Sequence, residues 1–133
     1  MNFTGMLKDG TLSGKTILIT GGGTGLGKSM GKYFMELGAN LIITSRKQEV
    51  LDETSREFNE FSGKVLPLSG DVRNTKDVQN ILDRGQDKFG QIDGLINNAA
   101  GNFISPTERL STKAFDVIVD IVLKGTYNYS LLL

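Results

Sequence analysis

From Thr20 to Lys28 the chain reads T-G-G-G-T-G-L-G-K, directly after the β-branched run Thr16 to Thr20. Such a stretch suits phosphate binding. Glycines let the backbone approach an anion closely, and a helix opening behind them adds free N–H donors and a positive dipole end. Gly21, Gly22, Gly23, Thr24, Gly25, Leu26 and Gly27 are therefore the candidate cradle. Two loops fit the letters. Gly21-x-x-x-Gly25-x-Gly27 is a variant dinucleotide loop, whereas Gly22 to Ser29 satisfies the P-loop pattern G-x-x-x-x-G-K-[ST], with Lys28 as its lysine. A P-loop also needs an Asp at the end of another apolar strand to hold Mg²⁺. Asp71 follows a strand interrupted by Pro67, and Asp120 lies in a segment of mixed periodicity. The dinucleotide is the preferred ligand, with Mg²⁺-ATP as its rival.

Other residues qualify that ligand. Ser45-Arg46-Lys47 ends a second apolar strand. An acidic residue there would bond the ribose hydroxyls of NAD and repel a 2′-phosphate. Arg46 can instead grip a phosphate bidentately, and Ser45 adds a neutral donor, so NADP(H) is predicted. Asp71-Val72 follows the third strand and Asn97-Asn98-Ala99-Ala100-Gly101 the fourth. Open α/β sheets bind ligands at those strand ends.

Four strands must present these groups, at Thr16–Thr20, Leu41–Thr44, Val65–Leu68 and Ile92–Ile96. The helices between them are read as follows. One buries Met30, Phe34 and Leu37 and ends at Gly38 as its C-cap. Another covers 48–61, and a third is capped by Asn74 and carries Val78, Ile81, Leu82 and Phe89. Alternating strands and helices predict an α/β fold with a parallel sheet covered on both faces. Phe115 to Leu123 fits either a strand or a helix capped by Ser111.

Composition narrows the chemistry. Lys+Arg and Asp+Glu are each 15, so no nucleic-acid partner is expected. His and Cys are both absent, which excludes zinc hydrolases and Ser-His-Asp or cysteine enzymes. No apolar run approaches the roughly 20 residues of a membrane span. Met1 to Gly14 holds no signal-peptide core, and a cytoplasmic protein without membrane partners is expected, an organelle remaining open. The 133 residues suit a single domain.

Taken together, Thr20-Gly21-x-x-x-Gly25-x-Gly27, Asp71-Val72 and Asn97 to Gly101 resemble the short-chain dehydrogenase/reductase family over nearly the whole chain from about Leu12. The stretch Ile96 to Ser111 is similar to the 2,4-dienoyl-CoA reductase branch. The resemblance implies a partial Rossmann, doubly wound sheet of four strands in the order 3-2-1-4, and NADPH-dependent reduction of a 2,4-dienoyl-CoA. It implies that Asp71 accepts from the adenine amino group, that Val72, Asn98, Ala99, Ala100 and Gly101 run along the cofactor, and that Asn102 helps hold the substrate thioester oxygen. Arg73 would meet a CoA phosphate, Phe103 the acyl chain, and Ser111 would donate to substrate. By residue type alone the same four are a turn Asn, a solvated Arg, a core Phe and a helix cap.

Two departures stand out. Val122-Leu123-Lys124-Gly125 occupies the family's Asn-x-x-Gly position, a loss that agrees with the dienoyl-CoA branch. No Tyr-x-x-x-Lys pair exists, since the residues four after Tyr33, Tyr127 and Tyr129 are all leucines. Residues 1–133 are expected to be the cofactor-binding, N-terminal half of a longer single-domain enzyme, homo-oligomeric when complete. The alternatives are a reductase of another enoyl or ketoacyl thioester, a non-catalytic NADPH-binding module, and a P-loop NTPase.

Overall fold

A computed structural model of the chain describes residues 6–102 and 104–133. Strand β1 (Thr16–Thr20) leads into helix α1 (Gly25–Glu36), followed by β2 (Asn40–Ser45), α2 (Gln48–Phe58), β3 (Val65–Ser69), α3 (Thr75–Phe89) and β4 (Gly94–Ile96). Helix α4 (Thr112–Val119) continues through a π-helical turn, Asp120–Lys124, into α5 (Gly125–Leu132). The strands form one parallel sheet in the order β3-β2-β1-β4, as expected.

Alternation along the central strands explains why helices lie on both faces. Ile17, Ile19, Leu41 and Ile43 point to one side, where Met35 of α1 and Leu51 and Phe58 of α2 cover them. Leu18 and Ile42 point to the other, where Val78, Ile81 and Leu82 of α3 and Tyr129 of α5 complete a second core. Each such aliphatic side chain contributes about 1.5–3 kcal/mol on burial.

Several boundaries differ from the sequence reading. Helix α1 buries Gly27, Gly31 and Met35 rather than a face of Met30, Phe34 and Leu37. A Cβ on Gly31 would stand 3.1 Å from Leu41 Cδ1, so the glycines bring the helix close to the sheet. Leu37 is still buried, and Gly38 ends the helix at φ +92°, a conformation that suits glycine. Helix α2 stops at Phe58, and Phe61 folds back edge-on against it, the ring centroids 6.1 Å apart. Strand β4 starts at Gly94, because Asp93 turns to accept from the Thr16 N–H (2.9 Å) and from Lys15 Nζ (3.0 Å). Phe115 to Leu123 is helical, and Ser111 Oγ caps α4 by accepting from the Ala114 N–H.

Pro67 fits β3 because β3 is an edge strand. On the flank of that strand the Gln48 carboxamide donates to Pro67 O (3.4 Å) and accepts from the Ser69 N–H (2.9 Å).

One buried polar atom is unmatched. Thr44 Oγ1 has no hydrogen-bond partner among the described residues. Burial pushes the Tyr129 phenol on the same side of the sheet up to about 12, and no hydrogen bond joins it to Thr44. Thr44→Val should therefore raise stability by about 1 kcal/mol, because it removes an unsatisfied hydroxyl at nearly constant shape. The urea midpoint checks this, and a lower midpoint would show that the hydroxyl is bonded.

Candidate functional site

The cradle is shaped by where β1 ends. After Thr20 the chain turns back on β2, and the N–H groups of Gly21 and Gly22 both donate to Thr44 O (2.7 and 3.3 Å). Gly21 (φ +68°) and Gly25 (φ +53°) take the left-handed backbone this turn requires. Thr24 sits at the N-cap of α1 in extended conformation and makes no side-chain cap. Among the described residues the N–H groups of Thr24, Gly25 and Leu26 find no protein acceptor. Three uncapped donors at the positive end of a twelve-residue helix are an arrangement that suits an anion.

The glycines divide into two sets. Gly21, Thr24, Gly25 and Leu26 line a cleft of about 580 Å³. Gly22, Gly23 and Gly27 are buried beneath it. A Cβ on Gly22 would stand 2.8 Å from Ile43 Cγ2, and one on Gly27 would overlap the Gly21 carbonyl. The inner set makes room and the outer set faces the ligand space. Leu26, 77% exposed, offers an apolar surface there.

The remaining walls come from the C-terminal ends of the other strands. Ser45, Arg46 and Lys47 follow β2, Gly70, Asp71 and Val72 follow β3, and Asn98, Ala99 and Ala100 follow β4. The cleft thus opens where the strand order reverses, between β1 and β4, the position at which doubly wound sheets bind ligands. Val50, Lys47, Gly70 and Ile121 also line it and were missed from the sequence. Lys47 and Gly70 were signalled only by adjacency to Arg46 and Asp71. Ile121 enters from the π-helical turn, where a Cβ on Gly101 would stand 2.9 Å from its Cδ1.

Asn98 joins two of these walls. Its Nδ2 donates to Thr20 O (3.0 Å) and Gly21 O (3.2 Å). Thr20 Oγ1 in turn accepts from the N–H groups of Asn98 and Ala99. Asn97 instead donates to Ser130 Oγ on α5 (3.2 Å).

Asp71 and Arg73 occupy each other. Arg73 Nε donates to both carboxylate oxygens (2.9 and 3.1 Å), Nη2 donates to one of them, and the Arg73 N–H adds a fourth bond. The Arg73 hydrogen bond holds the Asp71 carboxyl below its ordinary value against the opposing effect of burial, and the charge of Arg46 lowers it further. A depressed carboxylate contributes stability above its unfolded value, which is lost as pH falls through its folded value. Arg73 would have to leave this pair to meet a CoA phosphate. The pair is partly exposed, so solvent screens its attraction and lowers the cost of separation.

The substrate-side residues are not gathered in the cleft. Asn102 is exposed and Ser111 caps α4, and neither lines the cleft. Phe103 lies outside the described residues. Lys28 points away as well. Its Nζ pairs with Glu57 Oε1 (2.7 Å) in a separate groove between α1 and α2, shared with Ser29 and Lys32. With Asp71 bound to Arg73 and Asp120 to Lys124, no P-loop constellation assembles among the described residues.

Known proteins share this sequence and geometry. The short chain dehydrogenase family profile matches residues 15–133. A probable 2,4-dienoyl-CoA reductase of Caenorhabditis elegans is 43% identical over 125 residues, covering 92% of this chain and 40% of that protein. The chain thus spans about two fifths of the length of the curated relatives it matches. The crystal structure of a short chain dehydrogenase from Bacillus anthracis superposes with a TM-score of 0.84 at 46% identity, over 89% of this chain and 49% of the other. A 3-ketoacyl-(acyl-carrier-protein) reductase from Brucella melitensis, crystallised with NADH, gives 0.83 at 30% identity over 91% and 49%. With the family profile matched from Lys15 to Leu133 and the glycine turn, strand order and cleft all in place, the chain belongs to the short-chain dehydrogenase family.

Proposed function

We propose that this chain is the cofactor-binding part of an NADPH-dependent reductase of 2,4-dienoyl-CoA thioesters, working in fatty-acid oxidation as a homo-oligomer. The observation that carries the reading is the cleft itself, with its uncapped helix end at one side and Arg46 at the other. The relatives' names supply the substrate class.

The residues divide the work of holding a dinucleotide. The free N–H groups of Thr24, Gly25 and Leu26 suit its diphosphate. Arg46 and Ser45 suit a 2′-phosphate, and Asp71 and Val72 suit the adenine. Ala99 and Ala100 carry the wall toward the reacting end, and Gly101, Asn102, Phe103 and Ser111, which the family resemblance assigns to the cofactor, the thioester oxygen and the acyl chain, follow them in sequence. When bound, NADPH supplies the hydride. The protein must then offer oriented donors in a dry pocket to the charge that develops on the thioester oxygen.

The test is consumption of NADPH by the full-length protein with a 2,4-dienoyl-CoA, beside an enoyl-CoA and a 3-ketoacyl-CoA. Turnover of the dienoyl thioester is expected. Turnover of only another thioester moves the substrate assignment, and none with any of them leaves a binding module.

Lys28→Ala separates this reading from a phosphate-binding lysine. Lys28 is held by Glu57 outside the cleft, so NADPH affinity should change by less than about twofold. Loss of binding in a folded variant would restore the P-loop lysine.

A further inference from the structure

We propose that Thr54 is a positioning residue for the dinucleotide loop, fixing the orientation of the Gly23–Thr24 peptide so that the Thr24 amide faces a bound diphosphate. The inference rests on reading the cleft as a dinucleotide site, and it adds a residue that never meets the ligand. Thr54 lies on α2, is 1% exposed, and donates from Oγ1 to Gly23 O at 2.8 Å, across 31 residues of sequence.

The geometry makes that bond an orienting one. The peptide between Gly23 and Thr24 is trans, so its C=O and N–H point in opposite directions. Holding the carbonyl against α2 turns the Thr24 N–H away from α2. Thr24 lines the cleft, and its N–H has no protein acceptor among the described residues. Glycine at position 23 leaves the peptide free to rotate, so something outside the loop must hold it. Val50 and Leu51 supply the floor, since a Cβ on Gly23 would stand 3.1 Å from Val50 Cγ1 and 3.3 Å from Leu51 Cδ2. Those contacts limit how near the loop lies, while the Thr54 hydroxyl selects which way the peptide faces. Helix α2 also starts directly after Lys47, so one rigid element carries both the loop's anchor and the end of the arginine segment.

The experiment compares Thr54→Val and Thr54→Ser in the full-length protein. Dissociation constants are measured for NADPH and for 2′-AMP, which carries the 2′-phosphate but no diphosphate. Thr54→Val should weaken NADPH by about 5- to 20-fold, the scale of one lost hydrogen bond with its orienting effect. Affinity for 2′-AMP should remain within about twofold, and Thr54→Ser, which keeps the hydroxyl, should restore NADPH binding. Thr54→Ala carries the same comparison if the valine variant does not fold.

Unchanged NADPH affinity in a folded Thr54→Val overturns the proposal. So does an equal loss for NADPH and 2′-AMP, which would mean general loosening of α2, and so does failure of the serine to rescue. If the parent protein binds neither NADPH nor NADH, the dinucleotide reading fails first, an outcome distinct from any difference among the Thr54 variants.

Discussion

Arg46→Asp should invert the cofactor preference, weakening NADPH by roughly 10- to 150-fold while NADH holds or improves. That range is the loss of one charge-assisted hydrogen bond, about 1.5–3 kcal/mol, at tenfold per 1.4 kcal/mol. Repulsion between the new carboxylate and the 2′-phosphate adds to it. NADH gains, because an acid at the end of β2 can accept from both ribose hydroxyls. Arg46 is exposed and lines the cleft without a protein partner among the described residues, so the substitution removes little else. One side effect is expected at Asp71, whose carboxyl loses part of the field that lowers it. The ratio of NADPH to NADH dissociation constants is the readout, and a ratio that does not move removes Arg46 from the site.

Gly27→Ala should be nearly as damaging through a different route. The added methyl would overlap the Gly21 carbonyl and stand 2.6 Å from Asn98 Nδ2. Neither obstacle is the far end of a flexible side chain. The carbonyl is backbone, and the Asn98 amide is held by Thr20 O and Gly21 O. The loop must lift, at a cost of about 1–3 kcal/mol in stability, the usual range for overpacking. Lifting also pulls the Thr24 to Leu26 donors out of line, so NADPH affinity should drop more than tenfold. Urea denaturation and NADPH titration report the two effects separately. Near-parental values for both would mean that the turn has slack that the contacts conceal.

How far the sequence could be read depended on whether a residue's type revealed its task. The strands were legible because β-branched and aliphatic runs between glycine turns have few other uses in a parallel sheet. Asn74 and Ser111 were legible as caps, since an oxygen just ahead of a helical pattern has an obvious donor to satisfy. The inner face of α1 was not. Gly31 lies against the sheet and Gly27 against the glycine turn because they lack side chains, and a search for apolar periodicity passes over them in favour of Met30 and Phe34. Phe115 to Leu123 stayed undecided for a related reason. Phe115 and Leu123 are exposed on a helix, so apolar residues appear on more than one face and blur its period. The Asp71–Arg73 pair was invisible for a third reason. Two residues can each look suited to a separate ligand when only the turn between them brings the guanidinium onto the carboxylate.

Gln48 has a consequence for how the sheet meets other chains. Its carboxamide presents one donor and one acceptor to the outer flank of β3, the pair that a neighbouring strand's peptide group would offer. Asp52 accepts from the same Nε2 (2.8 Å) and keeps the side chain in place. Pro67 beside it has no N–H to give an incoming strand. A short side chain thus imitates the first peptide of a fifth strand and ends the ladder there, much as a terminator ends a polymer. Such plugged borders resist edge-to-edge aggregation. The sheet is therefore unequal in its capacity to grow: the end of β3 is plugged by Gln48, whereas no such plug stands alongside β4 among the described residues.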